Sequence, residues 1–195
     1  MIQAGGRSAR MGGRPKALMD VGGRRIIERV AEVLRQVTDE LLLVTNTPER
    51  YAWMGYPMVP DVFPDAGSIG GIYSGLKAAS GEAAFVVACD MPFLVPDVAR
   101  LVTSRAGLAD VVIPLVRGFH ETLHASYAKP CLGPMERRIA AGQLKITGFF
   151  PEVRVLEIPE ADVARLADPD RVFMNVNSPE DLLRARSIAD AEARR

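Results

Sequence analysis

Phosphate chemistry is the first function suggested by the sequence, because a glycine-rich, cationic stretch lies near its start, at residues 4–16. Four glycines and four cations fall within these thirteen residues. Glycine lets a backbone approach a ligand closely, and successive backbone N–H groups in such a loop form a concave anion site. Arg10 and Lys16 would add positive charge over the same anion. The stretch predicts a loop for the phosphates of a nucleotide, and a flexible basic surface loop is the alternative.

A carboxylate offers the complementary chemistry. Asp90 directly follows the clearest apolar run of the chain, residues 84–89. Mg²⁺ prefers oxygen ligands and bridges them to phosphate, so Asp90 near a phosphate loop predicts a magnesium site. The alternative is that Asp90 only caps the helix that follows Pro92.

Spacing excludes two common nucleotide-binding loops. A Walker A loop requires the pattern G-x-x-x-x-G-K-[ST], but Lys16 lies between Pro15 and Ala17. The dinucleotide fingerprint G-x-G-x-x-G does not fit Gly5-Gly6 either. The motifs therefore exclude an ordinary P-loop NTPase and a Rossmann dehydrogenase.

The elements that must position these residues alternate between strand and helix over the first two thirds of the chain. This order is typical of a parallel α/β sheet, in which ligands bind at the carboxyl ends of the strands. Residues 122–127 alternate in polarity and predict an edge or antiparallel strand. Hydrophobic patterning predicts further strands at 1–4, 40–45, 57–59, 84–89, 110–116 and 153–158, and helices at 26–34, 68–78, 96–105, 134–141 and after Ser178.

Charge and composition favour a small anionic ligand. The 195 residues carry a formal net charge of zero, so no global field attracts a nucleic acid or a membrane. Residues 1–25, however, hold six Lys or Arg and a single acid, Asp20. A local basic patch of this kind suits a nucleotide better than a nucleic acid, which needs a broader basic stripe.

A cytoplasmic location is expected. The chain has no apolar run of the roughly 18–20 residues that span a bilayer, and its first residues form the glycine loop rather than a signal peptide. Cys89 and Cys131 lie far apart in the sequence, and we expect both to be reduced. We predict a single domain over residues 1–195, without an internal boundary, and no membrane partner.

Three segments together resemble the MobA-like nucleotidyltransferase family. Residues 4–12, followed by Lys16, resemble its glycine-rich signature; Cys89-Asp90-Met91-Pro92 resembles its Mg²⁺-binding segment; and 175–182 resembles its Asn-x-Asn-Thr-Pro-Glu-Asp-Leu stretch. The three occur in order across nearly the whole chain. The Ala-Gly-Gly form favours the molybdenum cofactor guanylyltransferases over the related cytidylyltransferases. Gln3, where the family usually has Leu, and Ser178, where it has Thr, depart from the pattern.

The resemblance implies a three-layer, Rossmann-like, doubly wound sheet that is mostly parallel with an antiparallel strand. It also implies a reaction in which the phosphate of molybdopterin attacks the α-phosphorus of GTP and pyrophosphate leaves, with Mg²⁺ as the cofactor. The oligomeric state stays open, and a monomer is a reasonable expectation.

Roles for individual residues are implied by the same resemblance. Arg10, Lys16 and Asp90 would be catalytic, and Asp90 would bind the metal. Apart from the resemblance, Asn175 and Asn177 could contact the second substrate or the metal, with backbone hydrogen bonding before the helix as the alternative. Arg137, Arg138 and Lys145 could hold the phosphate of the second substrate, with solvated helix charge as the alternative. The remaining roles again follow from the resemblance. The nucleotide would be bound by Gln3, Ala4, Gly5, Gly6, Lys16, Asn46, Asp61 and Asp90.

Such a transfer needs no protein nucleophile, because the acceptor's own phosphate attacks. This agrees with His120 and His124, for which the sequence offers no evident acid or nucleophile partner; we expect His124 to be structural. Trp53 could stack on a ring, although packing is the simpler expectation. Alternative functions are a cytidylyltransferase, a transferase for a sugar or alcohol phosphate, and a nucleotide-binding regulator without catalysis.

Overall fold

The computed structural model describes residues 1–5 and 15–194. Within them the strands are β1 (Ile2–Gln3), β2 (Asp20–Val21), β3 (Arg24–Arg25), β4 (Leu43–Val44), β5 (Met58–Val59), β6 (Ala83–Ala88), β7 (Val111–Val116), β8 (Phe119–His120), β9 (His124–Ala128) and β10 (Val155–Pro159). The α-helices are α1 (Ile26–Leu34), α2 (Gly67–Ala78), α3 (Pro96–Thr103), α4 (Leu132–Ala140), α5 (Glu160–Ala164), α6 (Pro169–Val172) and α7 (Pro179–Ala193).

A mixed sheet runs through the centre of the described chain in the order β10-β7-β9-β6-β1-β4-β5, with β8 paired to β7. The pairs β6–β1, β1–β4, β4–β5 and β7–β10 are parallel. Because β9 is antiparallel to both β6 and β7, the carboxyl ends of β6 and β7 point to the same edge of the sheet. This confirms the predicted mostly parallel sheet with an antiparallel strand.

Helices cover both faces of the sheet and give the three expected layers. One face carries α1, α3, α5, α6 and α7 against inward side chains such as Phe85 and Val87, and the other carries α2 and α4 against Ala84 and Val86. Successive residues of β6 therefore bury their side chains on opposite faces, as the continuous apolar run predicts.

The strand predicted from the alternation at 122–127 is antiparallel, and it lies inside the sheet rather than at its edge. The alternation at 122–127 predicts an edge or antiparallel strand, and β9 is antiparallel but lies inside the sheet between β6 and β7. Its polar residues His124 and Ser126 are buried. They point to the same face as Phe85 and Val112 rather than to solvent, so polar alternation does not report exposure here.

Strand β1 is as short as expected and holds a polar side chain in the interior. Gln3 is 9% exposed, and its Nε2 donates a hydrogen bond to the carbonyl of Ser68 at 3.1 Å. The facing residue of α2 is Gly71, where an added Cβ would lie 2.0 Å from that Nε2. The lack of a side chain at Gly71 is what makes room for Gln3 in a central strand.

A small hairpin after the glycine-rich stretch was not predicted. Strands β2 and β3 pair antiparallel around Gly22 and Gly23, whose φ values are +64° and +76°. Two successive residues with positive φ form the tight turn that favours Gly-Gly. The pair of glycines was the sequence signal for this hairpin.

The C-terminal helix begins as the sequence predicts. Ser178 is the N-cap of α7, and its Oγ accepts a hydrogen bond from Asp181 N at 3.2 Å. Asp181 in turn accepts hydrogen bonds from the backbone of Asn177 and Ser178, at 2.9 and 2.8 Å. This reciprocal cap fixes the segment that carries Asn175 and Asn177.

Candidate active site

A cavity of about 870 Å³ opens at the carboxyl edge of β1, β4 and β6. It lies where parallel strands of such sheets usually bind their ligands. Its lining comes from seven separate parts of the chain, which the sheet brings together. Expected site residues in the lining are Gln3, Ala4, Gly5, Lys16, Asn46, Asp61, Asp90, Asn175 and Asn177.

One wall of the cavity consists of a cation and its oxygen partners; we call Lys16, Asp90 and Asn177 the charged wall. Lys16 Nζ donates a hydrogen bond to Asn177 Oδ1 at 2.6 Å and lies 3.6 Å from Asp90 Oδ2. The side chains of Lys16 and Asp90 are 21% and 16% exposed. Backbone bonding holds the wall from behind, because Val176 N donates to the carbonyl of Asp90 at 2.9 Å.

The electrostatics of this wall suit an anionic, metal-bound ligand. Burial raises the pKa of Asp90 above its ordinary value, and the charge of Lys16 opposes that rise. Burial also raises the pKa of the neighbouring Cys89 to about 12, so this thiol stays protonated. A bound metal cation would therefore stabilise the charged form of Asp90. Lys16 could then bind phosphate oxygens in place of its present partners.

A second wall is formed by two side chains that bind each other; we call Asn46 and Asp61 the amide wall. Asn46 Nδ2 donates to Asp61 Oδ2 at 2.8 Å, and Asp61 N donates to Asn46 Oδ1 at 2.8 Å. Burial raises the pKa of Asp61, which the hydrogen bond from Asn46 partly offsets. These two hydrogen bonds fix both side chains. The other carboxylate oxygen, Asp61 Oδ1, can accept hydrogen bonds from a ligand.

The metal-binding capacity of the site rests on few groups. Among residues 1–5 and 15–194, no cluster of three or more His, Cys, Asp or Glu side chains is suitable for a metal. Mg²⁺ needs no such cluster, because it is commonly held by one or two carboxylates, with substrate phosphates and water as the other ligands. Asp90, with the amide oxygens of Asn175 and Asn177 in the same cavity, fits that donor set.

Some expected residues do not meet at this cavity. Lys145 does not line it and directly precedes the turn Ile146–Glu152, on the α4 side of the molecule. Arg137 and Arg138 bind Glu152, at 2.7 and 3.0 Å. Both arginines therefore have a surface partner, and neither they nor Lys145 line the cavity. Gly6 and Arg10 lie outside the described residues.

The two histidines, His120 and His124, differ in their burial and in their partners. His124 is fully buried edge-on to Phe85 and Phe173, and burial lowers its pKa to about 3, so it is a neutral core residue. His120 has an acid partner that the sequence did not reveal, because its Nε2 lies 2.7 Å from Glu157 Oε1. That pair joins β8 to the edge strand β10 and does not line the cavity.

Sequence reasoning missed several lining residues. Arg50 and Tyr51 follow β4 in the turn after Asn46, and Leu123 precedes β9. Asp65 and Gly67 have φ values of +64° and +61°, which bend the chain sharply into α2. Trp53, which could have stacked on a ligand, instead lies under the guanidinium of Arg25 at 4.5 Å. Position after a strand end was the one sequence signal for Arg50 and Tyr51.

Comparison with known proteins agrees with this geometry. The family model described as "MobA-like NTP transferase domain" matches residues 1–150. The chain belongs to the MobA-like NTP transferase family. Members of this family are nucleotidyltransferases, and such enzymes generally act with a divalent metal ion.

Individual relatives match over almost the full chain. A probable molybdenum cofactor guanylyltransferase of Pelotomaculum thermopropionicum is 38% identical, over 97% of this chain and 92% of its own length. A molybdenum cofactor guanylyltransferase of Desulfosudis oleivorans is 37% identical, over 98% and 95%. The solved structure of molybdopterin-guanine dinucleotide biosynthesis protein A from Archaeoglobus fulgidus superimposes with a TM-score of 0.82 at 27% identity, covering 97% of each chain.

No α-helix within the described residues combines the length and the apolar character that a membrane span requires.

Proposed function

We propose that this MobA-like nucleotidyltransferase transfers a guanylyl group from GTP to the phosphate of molybdopterin, with Mg²⁺ as the metal. An acceptor phosphate oxygen forms a bond to the α-phosphorus of GTP. The bond from that phosphorus to the bridging oxygen breaks, and pyrophosphate leaves with the bond's electron pair. The product is the guanine dinucleotide form of the cofactor.

The observation that carries this proposal is that the charged wall and the amide wall line the same cavity. The cation Lys16 Nζ lies 2.6 Å from the amide oxygen of Asn177 and 3.6 Å from a carboxylate oxygen of Asp90. Asn46 and Asp61 present fixed polar groups at the neighbouring strand end. A nucleotide has the same two-part character, with phosphates at one end and a hydrogen-bonding base at the other.

In this proposal Asp90 holds the metal ion, with Asn175 and Asn177 as further oxygen donors. The metal ion would neutralise charge on the phosphates. Lys16 binds phosphate oxygens after leaving Asn177 Oδ1, and its positive charge stabilises the negative charge that develops during transfer. The protein contributes electrostatics and orientation and supplies no nucleophile. His124, buried and neutral, takes no part.

Guanine rather than another base is supported by the names of the two relatives at 37% and 38% identity. The donors on the Watson–Crick edge of guanine, N1–H and the 2-amino group, suit a carboxylate acceptor such as Asp61 Oδ1. Gln3 would lie beside the same base, at the end of β1. We further propose that the protein acts in the cytoplasm, which suits the free thiols of Cys89 and Cys131.

The direct test is a comparison of nucleotides. We expect GTP with Mg²⁺ to raise the melting temperature more than CTP or ATP does, and pyrophosphate to be released only when GTP and molybdopterin are both present. Equal shifts with the three nucleotides would refute the guanine assignment. Release with CTP instead would identify a cytidylyltransferase, and binding without turnover with any acceptor would identify a regulator.

A further inference from the structure

One arginine outside the cavity connects the two segments that carry Lys16 and Asp90. Arg29 lies on the first turns of α1, and its side chain is 24% exposed. Its Nε donates to the carbonyl of Pro92 at 2.9 Å, and its Nη1 donates to the carbonyl of Val21 at 3.3 Å. Pro92 is two residues after Asp90, and Val21 is five residues after Lys16, so one rigid guanidinium bridges both segments.

Further contacts hold this guanidinium in place. It lies 5.6 Å from the ring centre of Phe93, the residue after Pro92, and its Nη2 lies 3.9 Å from Glu192 Oε2 of α7. Glu192 also pairs with Arg171, whose guanidinium lies 5.1 Å from the ring of Phe93. Phe93 is thus flanked by two arginines that share one carboxylate, which fixes the loop after Asp90 from several sides.

The hairpin β2–β3 is shaped to admit this arrangement. An added Cβ at Gly22 would lie 2.9 Å from Ala189 Cβ and 3.3 Å from Arg29 Nη1. Gly22 also has φ +64°, which a side chain would strain. The hairpin can therefore lie against α7 and Arg29 only because Gly22 has no side chain.

We propose that Arg29 is a positioning residue for the Lys16–Asp90 pair. By binding the carbonyls of Pro92 and Val21 together, it sets how far the loop after Asp90 lies from the hairpin after Lys16. The inference rests on the proposed function for its catalytic consequence. Arg29 touches no substrate, and it acts through the placement of the charged wall.

The predicted consequence is a loss of turnover with little loss of nucleotide affinity. A shift of about 1 Å between catalytic groups can lower a rate on the order of 100-fold. We expect Arg29→Met, which keeps the apolar stem, to lower kcat by about 10- to 100-fold while the KM for GTP changes by less than about threefold. Arg29→Lys keeps the charge but not the two-pronged geometry, and we expect an intermediate kcat.

Arg186 provides a matched control. Its Nε donates to the carbonyl of Asp20 at 3.0 Å, so it also bonds the hairpin through one backbone carbonyl. Within residues 1–5 and 15–194, Arg186 forms no hydrogen bond or ion pair with the loop after Asp90. We expect Arg186→Met to cost stability as Arg29→Met does, measured as the urea midpoint, and to keep the wild-type kcat.

A second measurement does not depend on the substrates. Cys89 directly precedes Asp90 and is half-buried at the edge of the cavity, so the position of the loop that follows it limits the access of iodoacetamide to its thiol. We expect Arg29→Met to accelerate the alkylation of Cys89 about fivefold or more, located by mass spectrometry, and Arg186→Met to leave it unchanged. The fully buried Cys131 serves as the internal reference.

Accelerated alkylation in Arg29→Met together with a kcat loss absent from Arg186→Met would support the proposal. Equal kcat values for the two variants, or unchanged alkylation of Cys89, would overturn it. Should Arg29→Met fail to fold, Arg29→Lys carries the same comparison. A protein that failed to use GTP would refute the proposed function, and the alkylation rates would still decide the role of Arg29.

Discussion

The charged wall and the amide wall of the cavity are built in opposite ways. In the amide wall, Asn46 and Asp61 lie fifteen residues apart and satisfy each other through two hydrogen bonds of 2.8 Å. In the charged wall, Lys16 and Asn177 lie 161 residues apart, and the contact between Lys16 and Asp90 is longer, at 3.6 Å. The amide wall is fixed without a ligand, whereas we expect the groups of the charged wall to exchange partners when a ligand binds.

This difference suggests a division of labour. A prearranged pair discriminates between ligands, because a ligand without the matching donors leaves buried polar groups unpaired. Opposite charges that are only loosely paired bind any phosphate and stabilise charge that develops during transfer. Variants in the amide wall should therefore change selectivity, and variants in the charged wall should change turnover.

The largest effect is expected for Asp90→Asn. The amide keeps the size of the side chain and removes the negative charge that the metal requires, so we expect kcat to fall on the order of 1,000-fold or more. Thermal stability without ligand should be unchanged or higher, because burial already disfavours the charge of Asp90. Steady-state kinetics and calorimetry measure the two quantities. Retained activity would remove Asp90 from the metal site.

The next largest effect is expected for Lys16→Met. Methionine keeps the apolar stem and removes the cation, so we expect kcat to fall on the order of 100-fold and GTP, CTP and ATP to lose affinity to the same extent. Nucleotide titrations by calorimetry test this. A loss confined to GTP would mean that Lys16 reads the base and would end the division between the two walls.

A smaller and selective effect is expected for Asn46→Ala. The change removes both hydrogen bonds to Asp61 and leaves its carboxylate unsupported, so we expect GTP to bind about tenfold more weakly. Inosine triphosphate, which lacks the 2-amino group of guanine, should lose less. Asp61→Asn is the matched variant. It should also reduce the difference in affinity between GTP and inosine triphosphate. An equal loss for both nucleotides in both variants would contradict the selective role of this wall.

The smallest effect is expected for Ser178→Ala. The N-cap bond to Asp181 N would be lost, at a cost of about 1 kcal/mol, which corresponds to a decrease in Tm of about 2–4 °C. The hydrogen bonds from Asn177 and Ser178 to Asp181 Oδ2 remain. We therefore expect kcat to change by less than about threefold. A kcat loss as large as that of Lys16→Met would show that the cap itself positions the charged wall.

Several features were predictable because their causes are local in the sequence. The apolar run at 84–89 becomes β6, and Ser178-Pro179 begins α7, because hydrophobic patterning and capping act within a few residues. The predicted strand at 40–45 was too long, because hydrogen bonding with β1 and β5 limits β4 to Leu43–Val44. Helix α1 spans Ile26–Leu34, as the helical spacing of its apolar residues predicts.

Other features depend on partners that are distant in sequence. The carboxylate beside His120 is Glu157, on β10, thirty-seven residues away. Lys145 looked suitable for phosphate binding by charge alone, but its segment folds on the α4 side of the molecule. Polarity along 122–127 could not reveal that β9 enters the interior, because both faces of the sheet are covered by helices.

The sequence by itself determined the family, the α/β class and nine of the residues that line the cavity, since strand ends and the three motifs are local patterns with a known consequence. Only the tertiary structure decided which of those residues touch. It paired Asn46 with Asp61, placed Lys16 between Asp90 and Asn177, and brought Arg29 to the carbonyls of Pro92 and Val21. The physical reason is that a hydrogen bond depends on the separation of atoms in space, which the sheet order sets.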